Sequence, residues 1–159
     1  ILGRRLHCLE PISGIHTHWD FAEEISAVAE RRERAGLIIT LRRCFALFDP
    51  ATDAEPTYLY QPADEPPGNR FNDGKLDRAG RFWAGTMDDV VRGPVGTLYR
   101  LDSGHRMTAV LHPIIISNSL AFSPDGQTLA TILDDAREDG PPDALVAAAR
   151  GLTAAHRVG

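Results

Sequence analysis

Short apolar or alternating runs follow one another along the chain, each closed by a turn signal. Residues 36–41 (GLIITL) form a continuous apolar run of strand length. Residues 44–48 (CFALF), 57–60 (TYLY), 81–85 (RFWAG), 97–101 (TLYRL) and 108–111 (TAVL) are β-branched, aromatic or alternating in the same way. Between them stand 10–14 (EPISG), 49–53 (DPATD), 77–80 (DRAG), 102–104 (DSG) and 123–126 (SPDG), rich in the residues that turns demand. Strands this short, at such regular spacing, predict an all-β sandwich, barrel or propeller.

A repeat narrows the choice. Asn72, Leu76, Gly80 and Ala84 recur as Asn118, Phe122, Gly126 and Ala130, each pair 46 residues apart. Both copies run from a polar Asn through an apolar strand position and a turn glycine to a strand ending in Ala. A fainter copy lies upstream, where 25–29 (ISAVA) precedes 36–39 (GLII), its spacing off by about two residues. Four-stranded blades repeat at about this length, which favours a propeller; the alternative is a chance likeness between two hairpins.

Residues 22–34 carry enough Ala and Glu to suggest a helix, but the repeat places an inward strand at 25–29 followed by a charged turn. Strand and loop are the expectation there. The Pro-rich segment 61–69 (QPADEPPGN) reads as a loop that delivers the chain to Arg70. Past residue 133 the strand pattern ends: 134–142 (DDAREDGPP) is a charged linker, and 143–149 (DALVAAA) is Ala-rich with Asp143 as an N-cap. The division expected is a β domain over 1–133 and a divergent tail over 134–159, helical or disordered.

Composition sets limits on partners. The chain of 159 residues, with Lys+Arg 17 against Asp+Glu 22, is net −5, which argues against a nucleic-acid or anionic-membrane surface. Hydrophobic residues at 43%, with Gly 14 and Pro 11, describe a turn-rich globular protein. Cys8 and Cys44 cannot form a disulfide framework, and no apolar stretch approaches the ~20 residues that span a bilayer. A soluble, cytoplasmic protein is expected. The chain opens at Ile1 on a strand-like run with no initiator Met, so either its N-terminus was removed or it is a piece of something longer.

The densest polar cluster is 70–75 (RFNDGK), where strand alternation puts Arg70 and Asn72 on one face. That face could offer donors to a hydroxylated or anionic small molecule, Arg supplying a planar fork. Spacing alone equally allows Asn72 and Asp73 to form an Asx turn beside a solvated Arg70. Asn118 occupies the equivalent point of the second repeat, after the apolar run 114–116; its amide oxygen suits a hard cation such as Ca²⁺ or satisfies neighbouring backbone. His7, Cys8, His16 and His18 offer a rival zinc reading, which lacks the second short-spaced pair that structural sites usually show. There is no Gly-x-Ser-x-Gly elbow, no activated cysteine context and no phosphate-binding glycine loop.

The stretch 70–87 (RFNDGKLDRAGRFWAGTM) resembles the signature of the senescence-marker-protein (regucalcin), gluconolactonase and luciferin-regenerating-enzyme family. Further likenesses keep the family's order: 3–7 (GRRLH) to a first-blade strand, 36–41 and 46–50 (ALFDP) to a second-blade hairpin, then 96–102 (GTLYRLD) and 116–126 (ISNSLAFSPDG). The resemblance covers about residues 1–131. It implies a six-bladed β-propeller, of which this chain covers about half the ring, with one divalent cation (Ca²⁺, Zn²⁺ or Mn²⁺) and hydrolysis of sugar lactones. Family members hold the cation with a Glu, an Asn and an Asp; only the Asn is matched, as Asn118. The Glu would precede Ile1 and the Asp, also the general base, would follow Thr131, so no catalytic residue is assigned. Arg70 and Asn72 match the family's substrate contacts, and Asp88 and Asp89 are approximate counterparts of an acidic contact after the GTM triplet. Ser119 stands where the I-S-N-G-L motif has Gly, which would strain the turn aiming Asn118 if that Gly has φ > 0. The expectation is a metal-dependent gluconolactonase-type hydrolase reduced to an inactive fragment, prone to self-association through open propeller edges. The alternatives are a non-catalytic calcium- or sugar-binding propeller fragment and a truncated product with no independent role.

Overall fold

The turn-bounded runs become twelve strands, β1 to β12, with no helix among the residues that this computed structural model describes: 3–32, 34–126 and 128–133. The tail expected at 134–159 lies outside them. β1 (Arg5–Leu9) and β2 (His16–Asp20) pair as a hairpin. β3 (Ile25–Glu30), β4 (Leu37–Leu41), β5 (Phe45–Phe48) and β6 (Thr57–Tyr60) make a four-stranded antiparallel meander. A second meander follows with β7 (Asn69–Leu76), β8 (Phe82–Asp88), β9 (Gly96–Leu101) and β10 (Met107–Ile114), then a hairpin of β11 (Ser117–Phe122) and β12 (Leu129–Leu133). Residues 25–30 are strand, as the repeat requires.

The sheets stack in series, and three cores lie between them. One joins Phe21, Ile25, Ile39, Leu41 and Phe48 to Leu6 and Trp19 of the first hairpin. The next joins Ile38 and Phe45 to Phe71, Phe82, Ala84 and Tyr99, and the third joins Trp83, Leu98 and Ile114 to Leu120. Alternation along a strand explains why the central runs are continuously apolar. Ile38 and Ile39 enter different cores, as do Phe82 and Trp83, so each face of both meanders is covered. Phe45 and Phe71 meet edge-to-face at 4.8 Å and 61°. Burying each such ring contributes about 2–3 kcal/mol, so this contact is a main tie between the two meanders.

The repeat has a structural meaning. β7–β8 and β11–β12 are each the opening hairpin of a sheet, and Gly80 and Gly126 close them at φ 78° and 71°. Gly80 N donates to Asp77 O at 3.1 Å and Gly126 N to Ser123 O at 2.9 Å, the same turn twice. The fainter upstream copy is β3–β4, with Gly36 at φ 88°. The first strands β3, β7 and β11 pack side by side with β7 in the middle.

The Pro-rich loop does more than connect. It buries Glu65, whose carboxylate accepts from Asn69 Nδ2 at 2.6 Å, Thr86 Oγ1 at 3.0 Å and the Tyr99 hydroxyl at 2.8 Å. Burial and the bond to Glu65 push the Tyr99 phenol well above its ordinary value. This staple fixes the entry into β7, where the polar cluster begins. No helix among the described residues is long and apolar enough to cross a membrane.

Candidate functional site

Arg70 and Asn72 stand near the start of β7, and alternation separates them from Phe71, which enters the core between the meanders. The β7–β8 register shifts between Phe71 and Asp73, a bulge centred on Asn72. Both polar side chains are buried, at 7% exposure each, so each needs a partner. Arg70 Nη1 donates to Asn72 Oδ1 at 2.9 Å and to Phe71 O at 3.1 Å. Asn72 Nδ2 donates in turn to Ser117 O at 3.0 Å and to Asn118 Oδ1 at 2.9 Å. The two repeat-equivalent asparagines therefore touch, and the sequence-predicted trio of Arg70, Asn72 and Asn118 is one hydrogen-bonded chain. Arg70 is neither solvated nor a bystander to an Asx turn.

Asn118 owes its place to a second bulge, where the β11–β12 register shifts between Asn118 and Ala121. Ser119 lies inside it at φ 52°, a left-handed conformation that favours glycine. The strain expected from Ser at this motif position is thus present in the backbone. Gly85 permits the close approach from the other side. A Cβ added there would overlap Ser117 Cβ and Oγ, so only glycine lets β11 lie this near β8.

Carboxylates complete the site. Asp89, just past β8, places Oδ1 at 2.9 Å from Arg70 Nε. The pair is ionic rather than a formed hydrogen bond, since that N–H finds no aligned acceptor. The other oxygen of Asp89 pairs with Arg42 in the β4–β5 turn. Arg42 Nη1 lies 3.4 Å from Glu24 Oε2, and Arg4 Nη2 lies 3.6 Å from Glu24 Oε1. A backbone hydrogen bond within Glu24 and the nearby Arg42 hold its carboxyl below the usual range against the opposing effect of burial. Three guanidiniums and two carboxylates thus run from Arg4, ahead of β1, through Glu24 and Arg42 of the first meander to Asp89 and Arg70 of the second.

Sequence reasoning paired Asp88 and Asp89 as approximate counterparts of one contact; the structure separates them. Asp88 is buried and turns away, accepting from Arg92 Nε at 2.7 Å, Arg92 Nη2 at 2.9 Å and Arg92 N at 3.0 Å. Those bonds hold its carboxyl far below the usual range. Asp89 alone reaches Arg70. Glu24 and Arg42 were missed, because each lies on a different sheet from the motif and nothing local marks them.

Chemically the arrangement can hold and orient a polar ligand. Arg70 Nη2 makes no hydrogen bond to another described residue and remains available as a charged donor. Both N–H donors of Asn72 are engaged, so it donates to a ligand only by exchanging one of those bonds. The residues present do not fit a divalent cation. The Asn118 amide oxygen already accepts from Asn72, and no set of three His, Cys, Asp or Glu side chains is gathered around it among the described residues. Both carboxylates, Glu24 and Asp89, are tied into ion pairs.

A protein-family model described as SMP-30/Gluconolactonase/LRE-like region matches residues 1–141. The chain is 38% identical over 128 residues to 6-deoxy-6-sulfogluconolactonase of Pseudomonas putida, a match covering 79% of this chain and 42% of that protein. It is 36% identical over 110 residues to regucalcin of Xenopus laevis, covering 66% of this chain and 36% of that protein. Among solved structures, a luciferin-regenerating enzyme superposes with TM-score 0.71 at 25% identity, over 81% of this chain and 45% of the other. A calcium-binding protein, regucalcin, from Agrobacterium tumefaciens superposes with TM-score 0.70 at 30% identity, over 87% and 50%. The chain spans less than half the length of the curated relatives it matches.

Proposed function

This chain belongs to the SMP-30/gluconolactonase/LRE-like family, and on that premise we propose that it forms the substrate-orienting part of a sugar-lactone hydrolase. Its sheets are read as successive blades of a six-bladed propeller, with β3, β7 and β11 as innermost strands beside the central channel. The starts of those strands carry the polar side chains, which is where a channel ligand would lie. The observation that carries the reading is the buried Arg70, held by Asp89 and Asn72 with one donor edge left over. A guanidinium fixed in this way orients lactone or hydroxyl oxygens without first having to be ordered. Asn72 and Asn118 complete the orienting set.

The family's divalent cation, Ca²⁺, Zn²⁺ or Mn²⁺, would polarise a lactone carbonyl when bound. The described residues around Asn118 supply no coordination set, so this chain's own contribution is binding and orientation. By itself the chain therefore binds a sugar lactone and does not turn it over. A sugar lactam, the ring amide that resists hydrolysis, should bind the 159-residue chain in an NMR titration. Charged hydrogen bonds are worth about 1.5–3 kcal/mol, so Arg70→Met should weaken that binding about tenfold or more. Binding untouched by Arg70→Met would overturn the assignment of Arg70. Hydrolysis of a sugar lactone far above background, with Ca²⁺, Zn²⁺ or Mn²⁺ supplied, would overturn the reading that the chain alone is inactive.

A further inference from the structure

The β1–β2 hairpin gathers a second set of chemistry-bearing side chains, separate from the Arg70 site. In its register His7 lies opposite His18, and Leu9 opposite His16. Successive side chains leave opposite faces of a strand, so His7, His16 and His18 share one face. Leu6 and Trp19 turn to the other, where they pack on the first core. Cys8, opposite Thr17, belongs to that second face and is not part of the set. The three imidazoles are exposed, with ring centroids 5.1, 6.0 and 6.2 Å apart. His7 Nδ1 and His16 Nε2 are 2.9 Å apart, one ring N–H donating to the other ring's lone pair. That bond requires an unprotonated ring nitrogen, the kind of atom that ligates a metal.

We propose that His7, His16 and His18 form a surface site for a transition-metal ion that prefers imidazole, such as Zn²⁺ or Ni²⁺. As placed, no group of three His, Cys, Asp or Glu among the described residues could hold a metal ion, and His7 and His16 are hydrogen-bonded to each other, so binding requires these side chains to rearrange. Nitrogens at about 2.0–2.1 Å from a tetrahedral zinc lie about 3.3 Å from one another, so the His7 and His16 nitrogens must part by roughly 0.4 Å and both rings must turn until their lone pairs converge on the metal. A change of tautomer frees the second lone pair, and side-chain torsions of exposed residues supply the movement. His18 swings in across the strand pair. Its Nε2 is 4.0 Å from Asp20 Oδ2, and Asp20 is itself held by Arg5 Nε at 2.6 Å. Nitrogen donors select Zn²⁺, Ni²⁺ or Cu²⁺ over Ca²⁺, whose ligands are oxygens. The site thus differs in kind from a channel cation near Asn118, and it does not depend on the lactonase reading.

Calorimetric titration of the 159-residue chain with Zn²⁺ should show one site that excess Ca²⁺ does not compete away. The triple variant H7Q/H16Q/H18Q should lose at least tenfold in affinity, while His105→Gln, at an exposed histidine elsewhere, should keep it. The triple variant alters only exposed side chains, so its circular dichroism should match the parent's. Zn²⁺ should also shift the imidazole proton resonances of His7, His16 and His18 together. Parent-like Zn²⁺ affinity in the triple variant, competition by Ca²⁺, or an equal loss in His105→Gln would overturn the proposal.

Discussion

Replacing Asp89 by Asn breaks the charge chain at its middle link and leaves two guanidiniums, Arg42 and Arg70, without the carboxylate between them. At the 2.9 Å separation of Asp89 and Arg70, unit charges attract by about 6 kcal/mol in an effective dielectric near 20. Most of that is offset by the cost of taking Arg70 out of water. Asp89 and Arg42 remain 29% and 30% exposed, which screens their share further. A net loss of about 2 kcal/mol is expected, well above that of an exposed pair and below the 3–5 kcal/mol of a fully buried one. Equilibrium urea unfolding followed by tryptophan fluorescence measures it, with Arg70→Met and the double variant closing a thermodynamic cycle. The coupling between the two sites should exceed about 1 kcal/mol, beyond the ~0.3–0.5 kcal/mol scatter of independent sites. Asp88→Asn supplies the contrast: its carboxylate serves Arg92, so its effect should simply add to that of Arg70→Met. Additive losses for Asp89→Asn and Arg70→Met, within that scatter, would refute the charge chain as the support of Arg70.

Three further outcomes follow from packing and titration. Gly85→Ala pushes β11 off β8, costs about 2–3 kcal/mol by overpacking, and should break the Asn72–Asn118 contact; adding Ser117→Gly, which removes the atoms struck, should recover most of the loss in thermal unfolding. Burial alone would raise the Asp77 carboxyl, but hydrogen bonds from Trp83 Nε1, Arg81 N and Arg81 Nε prevail and lower it from 3.8. Its stabilising contribution is therefore fully present above that value and lost as pH falls below it, so Asp77→Asn should flatten the acid limb of the stability curve, and superimposable limbs would contradict this. Burial pushes the Cys44 thiol up to about 12, whereas Cys8 is exposed. A thiol reagent near neutral pH should thus titrate one cysteine quickly in the native chain and the second only in denaturant.

The strands were legible because both faces of each meander are covered, so apolar runs such as 36–41 carry their meaning locally. The opening hairpins of the sheets were legible because glycine marks the same left-handed turn position at Gly80 and Gly126. What stayed hidden depends on contacts between sheets. Asp88 and Asp89 are neighbours of one charge, and only the path of the chain at the end of β8 decides which one meets Arg70. Arg42 and Glu24 reach the site from the preceding sheet, and no pattern near the RFNDGK motif announces them. Glu65 sits in a Pro-rich segment that the sequence marks only as a connecting loop, yet it is buried and accepts three side-chain hydrogen bonds. The set His7, Cys8, His16 and His18 was visible as residues, but only the register of β1 on β2 sorts it, placing His7 on one face with His16 and His18 and turning Cys8 to the other.

The 46-residue repeat joins these two levels. As sequence it identified an architecture of recurring sheets, and in the structure its defining polar residues, Asn72 and Asn118, are hydrogen-bonded across adjacent first strands. A repeated sheet brings the same strand position of each copy toward its neighbours, so one residue type, set once per repeat, converges without any long-range code. Identity at that position gives an amide network able to bridge strands, and departures from it give the site its chemistry. Arg70 is one such departure: the residue 46 positions later is Ile116, and the charge at 70 pairs with Asp89, whose other oxygen pairs with Arg42. The repeat builds the frame of the site, and the chemistry lies where the copies differ.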